Sequence, residues 1–255
     1  MPRIFNRIRK QLAIDNKFFQ YSRYAIGEIL LVVIGILIAL QIDNWNEERK
    51  GKQKEMLFLK EFQGAINTDL YNYEMRYTPR LERKKRGLDS LMAYIYNQKD
   101  IHDTLFIRYY IQMRQGIRLG YSNGPYEALK STGLDFIKND SLRSAINDTY
   151  ALLPFFMSFS HQRDDGSNAR INELEYNFLN HSAFEQEDGS KSLGVQLKVN
   201  DVINNQDFLW VYDLEERKYE EYITRLQQMT ASLKFLKDKI DEELKERDPF
   251  KKSVE

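Results

Sequence analysis

The sequence predicts an all-α protein: an N-terminal transmembrane helix continuing into an extracytoplasmic helical bundle with long amphipathic helices. Three observations predict it. The stretch Tyr24–Ile42 (YAIGEILLVVIGILIALQI) carries one charge, Glu28, and none from Ile29 onward. Beyond Asn44, apolar side chains recur at spacings of three and four residues rather than two. Only 5 prolines and 12 glycines punctuate 255 residues, too few for a loop-rich or all-β chain.

The charge is balanced overall, with 38 Lys+Arg against 38 Asp+Glu, which argues against a nucleic-acid partner held by bulk positive charge. With no cysteine, the chain has no disulfide, thiolate metal site or cysteine nucleophile. The balance hides a segregation. Residues 1–23 hold six Lys/Arg against Asp15 alone, whereas the chain beyond Ile42 is mildly acidic.

That layout divides the chain into a basic cytoplasmic tail (1–23), a transmembrane helix (24–42) and an extracytoplasmic α-helical domain (43–255). At 1.5 Å per residue the apolar run reaches about 28 Å, close to the hydrocarbon thickness of a bilayer. It is long for the apolar region of a cleaved signal peptide, and Ile38-Ala39-Leu40-Gln41 offers no small-x-small cleavage site. The segment therefore reads as an uncleaved signal anchor crossing the bilayer once. Its short basic tail resists translocation, so the N-terminus is expected in the cytoplasm and 43–255 outside it, in the periplasm of a cell with an inner membrane. Tyr21, Tyr24 and Trp45 fall where amphipathic rings favour the two interfaces. Ile4, Phe5, Ile8 and Leu12 repeat at helical spacing, which suits either a short helix lying on anionic lipid or a basic tail held there by charge.

Within the span, Gly35 and Ala39 form a small-xxx-small pair that lets two helices approach closely, and Glu28 lies seven residues earlier on nearly the same face. These three residues are the candidate membrane-helix association site. The alternative for Glu28 is a side chain one turn inside the span that reaches the interface beside Arg23.

In the body, Leu59, Phe62, Ile66, Leu70, Tyr73 and Tyr77 mark a helix that the absence of proline between Pro2 and Pro79 allows to continue from the span. Such a rod would couple membrane and body mechanically, and Pro79 should end or kink it. A second helix is expected over about Arg80–Asn97, with Leu81, Leu88, Leu91 and Ile95 on one face. A third is expected near Thr104–Gln115, followed by a loop at 118–125. Tyr126–Thr132 reads as a short helix closed by Gly133, and Asn139 or Asp140 as the cap of the next. Pro154 should interrupt that helix, a further one carrying Ile171, Leu174, Phe178 and Leu179. Residues 185–200 read as a loop with at most a short extended segment. In the last helix Tyr219, Leu226, Leu233 and Ile240 recur every seven, with Tyr222, Met229 and Leu236 three later. That seam suits a helix packed in its own bundle or an intermolecular coiled coil. Pro249 and the charged tail should end it.

Two passages carry a family likeness. Residues 24–50, YAIGEILLVVIGILIALQIDNWNEERK, resemble the N-terminal signature of an uncharacterised membrane-protein family of the Bacteroidota, domain of unknown function 6090. Tyr126–Gly133, with Ile137, Asn139, Leu142 and Arg143, is similar to that family's second recurring stretch. Asp43 stands where the family more often has Asn. The resemblance implies a single-pass inner-membrane protein with a helical extracytoplasmic part, and no activity or catalytic residue.

No site for chemistry assembles from the sequence. His161 and Asp165 have metal-ligand spacing without a second pair, and Asp164–Glu175 fails as a calcium loop, Gly166 and Ala169 standing where a ligand and the turn glycine belong. Arg80, Arg83, Lys84, Lys85 and Arg86 suit a solvated helix end or lipid phosphate. No phosphate loop, nucleophile elbow or zinc-protease motif occurs. The expectation is a non-enzymatic scaffold or interaction protein of the cell envelope, without cofactor or metal, whose partners are the bilayer, an envelope protein and a second copy of itself. The alternative is a sensory or regulatory module whose ligand-binding helical domain acts on a membrane partner.

Overall fold

The structure is a computed structural model describing residues 18–185 and 188–247. The expected interfacial helix at Ile4–Leu12 and the charged end from Pro249 lie outside the described residues. The chain is about 80% helical, as expected, and divides into two compact units, 1–56 and 57–255.

Helix α1 runs unbroken over Phe18–Asn72. In the first unit it holds the apolar stretch, whose large side chains are all exposed, from 46% for Ile34 to 74% for Leu31. This helix is long and apolar enough to cross a membrane.

The second unit begins with the last turns of α1, which bury Leu59, Phe62 and Ile66 completely. Pro79 marks the start of a new α-helical segment, but the chain stays helical through it. A single π-turn at Tyr73–Tyr77 leads directly into α2, Thr78–Asn97, and proline stands in the first turn of α2. The wider turn is closed by the Thr78 amide and hydroxyl, both donating to the Tyr73 carbonyl. Proline there lacks only an amide hydrogen that a first turn leaves unpaired. Helix α2 stops at Gln98, which takes the left-handed conformation. Helix α3 follows over Asp103–Met113, capped by the His102 imidazole, which accepts from the Thr104 amide at 3.3 Å.

Helix α4 spans Gly124–Thr132 and ends on Gly133, whose φ of 110° suits a residue with no Cβ. Asn139 caps α5 by accepting from the Leu142 amide. Here the expected break fails: α5 is one helix, Asp140–Phe178, with Pro154 inside it. Leu153 beside it is fully buried while Pro154 itself is exposed, so its ring takes no place in the core.

Residues 179–197 depart from expectation in part: the short extended segment expected within 185–200 is present as a strand, but it has a partner strand where a helix end is expected. Leu179 starts a strand instead of finishing a helix, and β1 (Leu179–Glu185) pairs antiparallel with β2 (Lys191–Leu197), His181 opposite Val195. The cause is the alternation Leu193, Val195, Leu197 with Ser192, Gly194, Gln196, a period of two. Asn205 then caps α6, Gln206–Glu246.

The body has two oily clusters. One gathers Leu59, Phe62, Ile66 and Leu81 with Ile146, Leu153 and the α6 heptad residues Leu226, Met229, Leu233, Leu236 and Ile240. The other gathers Leu88, Leu91, Phe106, Ile171, Phe178 and Phe208. The α6 seam is thus filled from within its own chain.

Candidate functional site

The interval between the two clusters is charged. On α2, Lys84 sits between Leu81 of one cluster and Leu88 of the other. On α6, Glu215 and Lys218 lie between Tyr212 and Tyr222, and on α5 Asp164 lies between Leu153 and Ile171. Helical spacing puts Asp164, Asn168, Asn172 and Glu175 on one face of α5, and Glu215, Lys218 and Tyr222 on one face of α6.

Lys84 and Glu215 are completely buried and ion-paired. The Lys84 ammonium also donates to the Met113 carbonyl at 2.6 Å. That carbonyl belongs to the last turn of α3, which has no intrahelical donor to offer and carries the negative end of the helix dipole. Arg114 bridges two carboxylates, Glu215 and Glu175, its Nε 2.8 Å from Glu175. Lys218 lies 2.9 Å from Asp164, 3.4 Å from Glu215 and 2.7 Å from the Asn168 side-chain oxygen. The hydroxyls of Tyr222 and Tyr110 donate to Asp164 and Glu175. Three cations therefore face three carboxylates across four helices, and the layer compensates its own charge.

Burial sets the proton affinities and the neighbours correct them. Desolvation pulls Lys84 down to about 8, against the pull of Glu215. Burial alone would raise Glu215, but Lys84, Lys218 and Arg114 hold it below the usual carboxylate range. Burial likewise works against the Asp164 carboxylate, and hydrogen bonds from Tyr222 and Lys218 hold it low as well. Each member of the Lys84–Glu215 pair thus favours the charged form of the other against the cost of burial.

A smaller polar latch fixes the loop between α3 and α4. Buried Asp69 accepts from the Ser122 amide and hydroxyl at 2.7 and 2.8 Å, and the Tyr73 hydroxyl donates to the Gly120 carbonyl. His161 contacts the Leu119 carbonyl at 3.0 Å. Burial, outweighing the Ser122 bonds, raises the Asp69 carboxyl.

These shifts fix a sign. Glu215 and Asp164 bind protons more weakly folded than unfolded, so their contribution is present above the ordinary carboxylate values and is lost as pH falls through the folded ones. Asp69 acts oppositely, gaining its proton more readily when folded. Urea midpoints of the full chain should fall between pH 5 and pH 3. Asp164→Asn should flatten that fall and Asp69→Asn should steepen it, each by at most about 1.4 kcal/mol per pH unit.

Of the residues singled out from sequence, Glu28, Gly35 and Ala39 all lie on α1 in the first unit. Glu28 is half-buried, Gly35 and Ala39 are exposed, and a Cβ built on Gly35 meets nothing within 4 Å. Asp164 and Asp165 are in mid-helix, not a calcium loop, and His161 serves the loop carbonyl. Among the described residues no group of three His, Cys, Asp or Glu is placed to hold a metal. The basic run after Pro79 divides: Arg80, Arg83, Lys85 and Arg86 are exposed, whereas Lys84 is wholly buried.

A family model described as a family of unknown function, DUF6090, matches residues 28–215. No curated protein and no solved structure matches the chain.

Proposed function

The chain belongs to this family of unknown function, and on that premise we propose that it is a membrane-anchored helical scaffold or interaction protein without catalytic activity. Residues 24–42 cross the inner membrane of the cell envelope once, the N-terminus is cytoplasmic, and 43–255 bind an envelope protein on the far side. The supporting observation is the exposed apolar surface of α1 over Tyr24–Ile42, which none of the described residues covers and which matches a bilayer in length. The ion network supports a structural role for the body, since its charges are spent on one another. Helix association through Glu28, Gly35 and Ala39 gives a second copy of the chain as one partner.

Alkaline phosphatase fused after Glu255 should be active and a fluorescent protein fused there dark, with the product resisting carbonate extraction from membranes. Cytosolic fluorescence, or recovery in the soluble fraction, would overturn the anchor. In detergent, light scattering should report more than one copy per particle, and Gly35→Ile should reduce it to one.

A further inference from the structure

Beside the ion network lies a cleft of about 710 Å³, walled by Ile107 and Ile111 of α3 and Arg114 just after it, by Glu175 and Tyr176 of α5, and by the β1–β2 hairpin. Its size is that of sites holding a small organic molecule. We propose that this cleft binds a small monocarboxylate with a short apolar or aromatic body, its carboxylate on Lys198. The proposal goes beyond the scaffold reading and does not depend on the anchor.

The charges choose the ligand. Arg114 is already shared between Glu175 and Glu215, and Glu175 is held by Arg114 and the Tyr110 hydroxyl. Lys198, also in the lining, has no carboxylate partner among the described residues. Exposed at the rim, its ammonium donates to the Tyr176 carbonyl at 2.6 Å and lies 4.3 Å from the centre of the Tyr176 ring. A lysine so placed has two donors left over for a ligand. Asn180, also in the lining, makes no side-chain hydrogen bond among the described residues and supplies a neutral donor. One uncompensated cation matches one negative charge. A dianion would bring excess charge towards Glu175, and an ammonium would meet a carboxylate already taken.

The walls choose the body of the ligand. Ile111 is 54% exposed and Tyr176 78%, large apolar surfaces left open, and Ile107 and Val195 continue the oily lining. A phenyl or short alkyl group covering them removes apolar area from water, which favours binding in proportion to that area.

The test uses the full chain in phosphatidylcholine nanodiscs, with empty nanodiscs as the blank, titrated calorimetrically with 4-phenylbutyrate, 4-phenylbutanol and 4-phenylbutylamine. The carboxylate should bind saturably at one site per chain and at least tenfold more tightly than the alcohol or the amine. Lys198→Gln should weaken the carboxylate about tenfold and leave the alcohol unchanged. Ile111→Trp, which fills the cleft without altering charge, should weaken both. Equal affinity for carboxylate and alcohol, indifference to Lys198→Gln, or no saturable binding above the blank would each overturn the proposal.

Discussion

Glu215→Gln is expected to destabilise the helical body by about 3–5 kcal/mol, the cost typical of removing one partner from a buried ion pair. Glu215 is completely buried and receives Lys84, Arg114 and Lys218. Neutralising it leaves three cations against two carboxylates in a layer with little water to screen the excess. The companion double variant, Lys84→Met with Glu215→Gln, removes one charge of each sign. It leaves two intact pairs, Arg114–Glu175 and Lys218–Asp164, and the glutamine oxygen can still accept. The double variant should therefore unfold at higher urea than Glu215→Gln alone, a coupling of about 0.5–3 kcal/mol. The readout is Trp210 fluorescence on a Trp45→Phe background, since those are the chain's two tryptophans. A single variant as stable as its parent would show that the layer does not tie the helices together.

Why that layer escapes a reading of the sequence is instructive. Extending the α6 heptad one repeat back from Tyr222 lands on Glu215, and one forward from Leu236 lands on Glu243, both buried. In α2, the apolar positions Leu81, Leu88 and Leu91 leave a gap that Lys84 fills at the regular three-and-four spacing. The signal was thus a charged residue in phase with an oily face. It was masked because each sits in a charged run, RKKR or DLEERK, beside solvated members such as Arg83, Lys85, Glu216 and Arg217. Periodicity identifies helices well, since it follows from one element's own geometry. It does not say which charged residue meets a counter-charge more than a hundred positions away, as Lys84 meets Glu215. Prolines mislead for a related reason. Pro79 and Pro154 are breakers in isolation, but a π-turn absorbs one and an outward-facing position accommodates the other. Of the hairpin only the second strand was legible, as a short extended segment, because the alternation spans that strand alone and Leu179 continues the helical spacing of α5. The cleft could not be read at all, since α3, α5 and the hairpin each supply only part of its lining.

Gly87→Ala should be among the most damaging single-methyl changes in the chain, costing about 1–3 kcal/mol or more. Elsewhere in a helix the same change is favourable by about 1 kcal/mol, because alanine loses less backbone freedom on folding. At Gly87 the sign reverses through contact. A Cβ there would lie 2.4 Å from the Met113 amide nitrogen and 2.7 Å from the Tyr109 carbonyl oxygen, and both are backbone atoms that cannot rotate away. Helices α2 and α3 would have to separate. Separation would pull the Met113 carbonyl off Lys84, so the methyl group would strain the ion layer as well as the packing. Gly64→Ala is the matched control. Gly64 is exposed on α1, and its added Cβ meets nothing within 4 Å. That variant should raise the urea midpoint slightly while Gly87→Ala lowers it, with the difference between them measuring the close approach of the two helices. Equal midpoints for the two variants would mean that α2 and α3 do not pack this tightly.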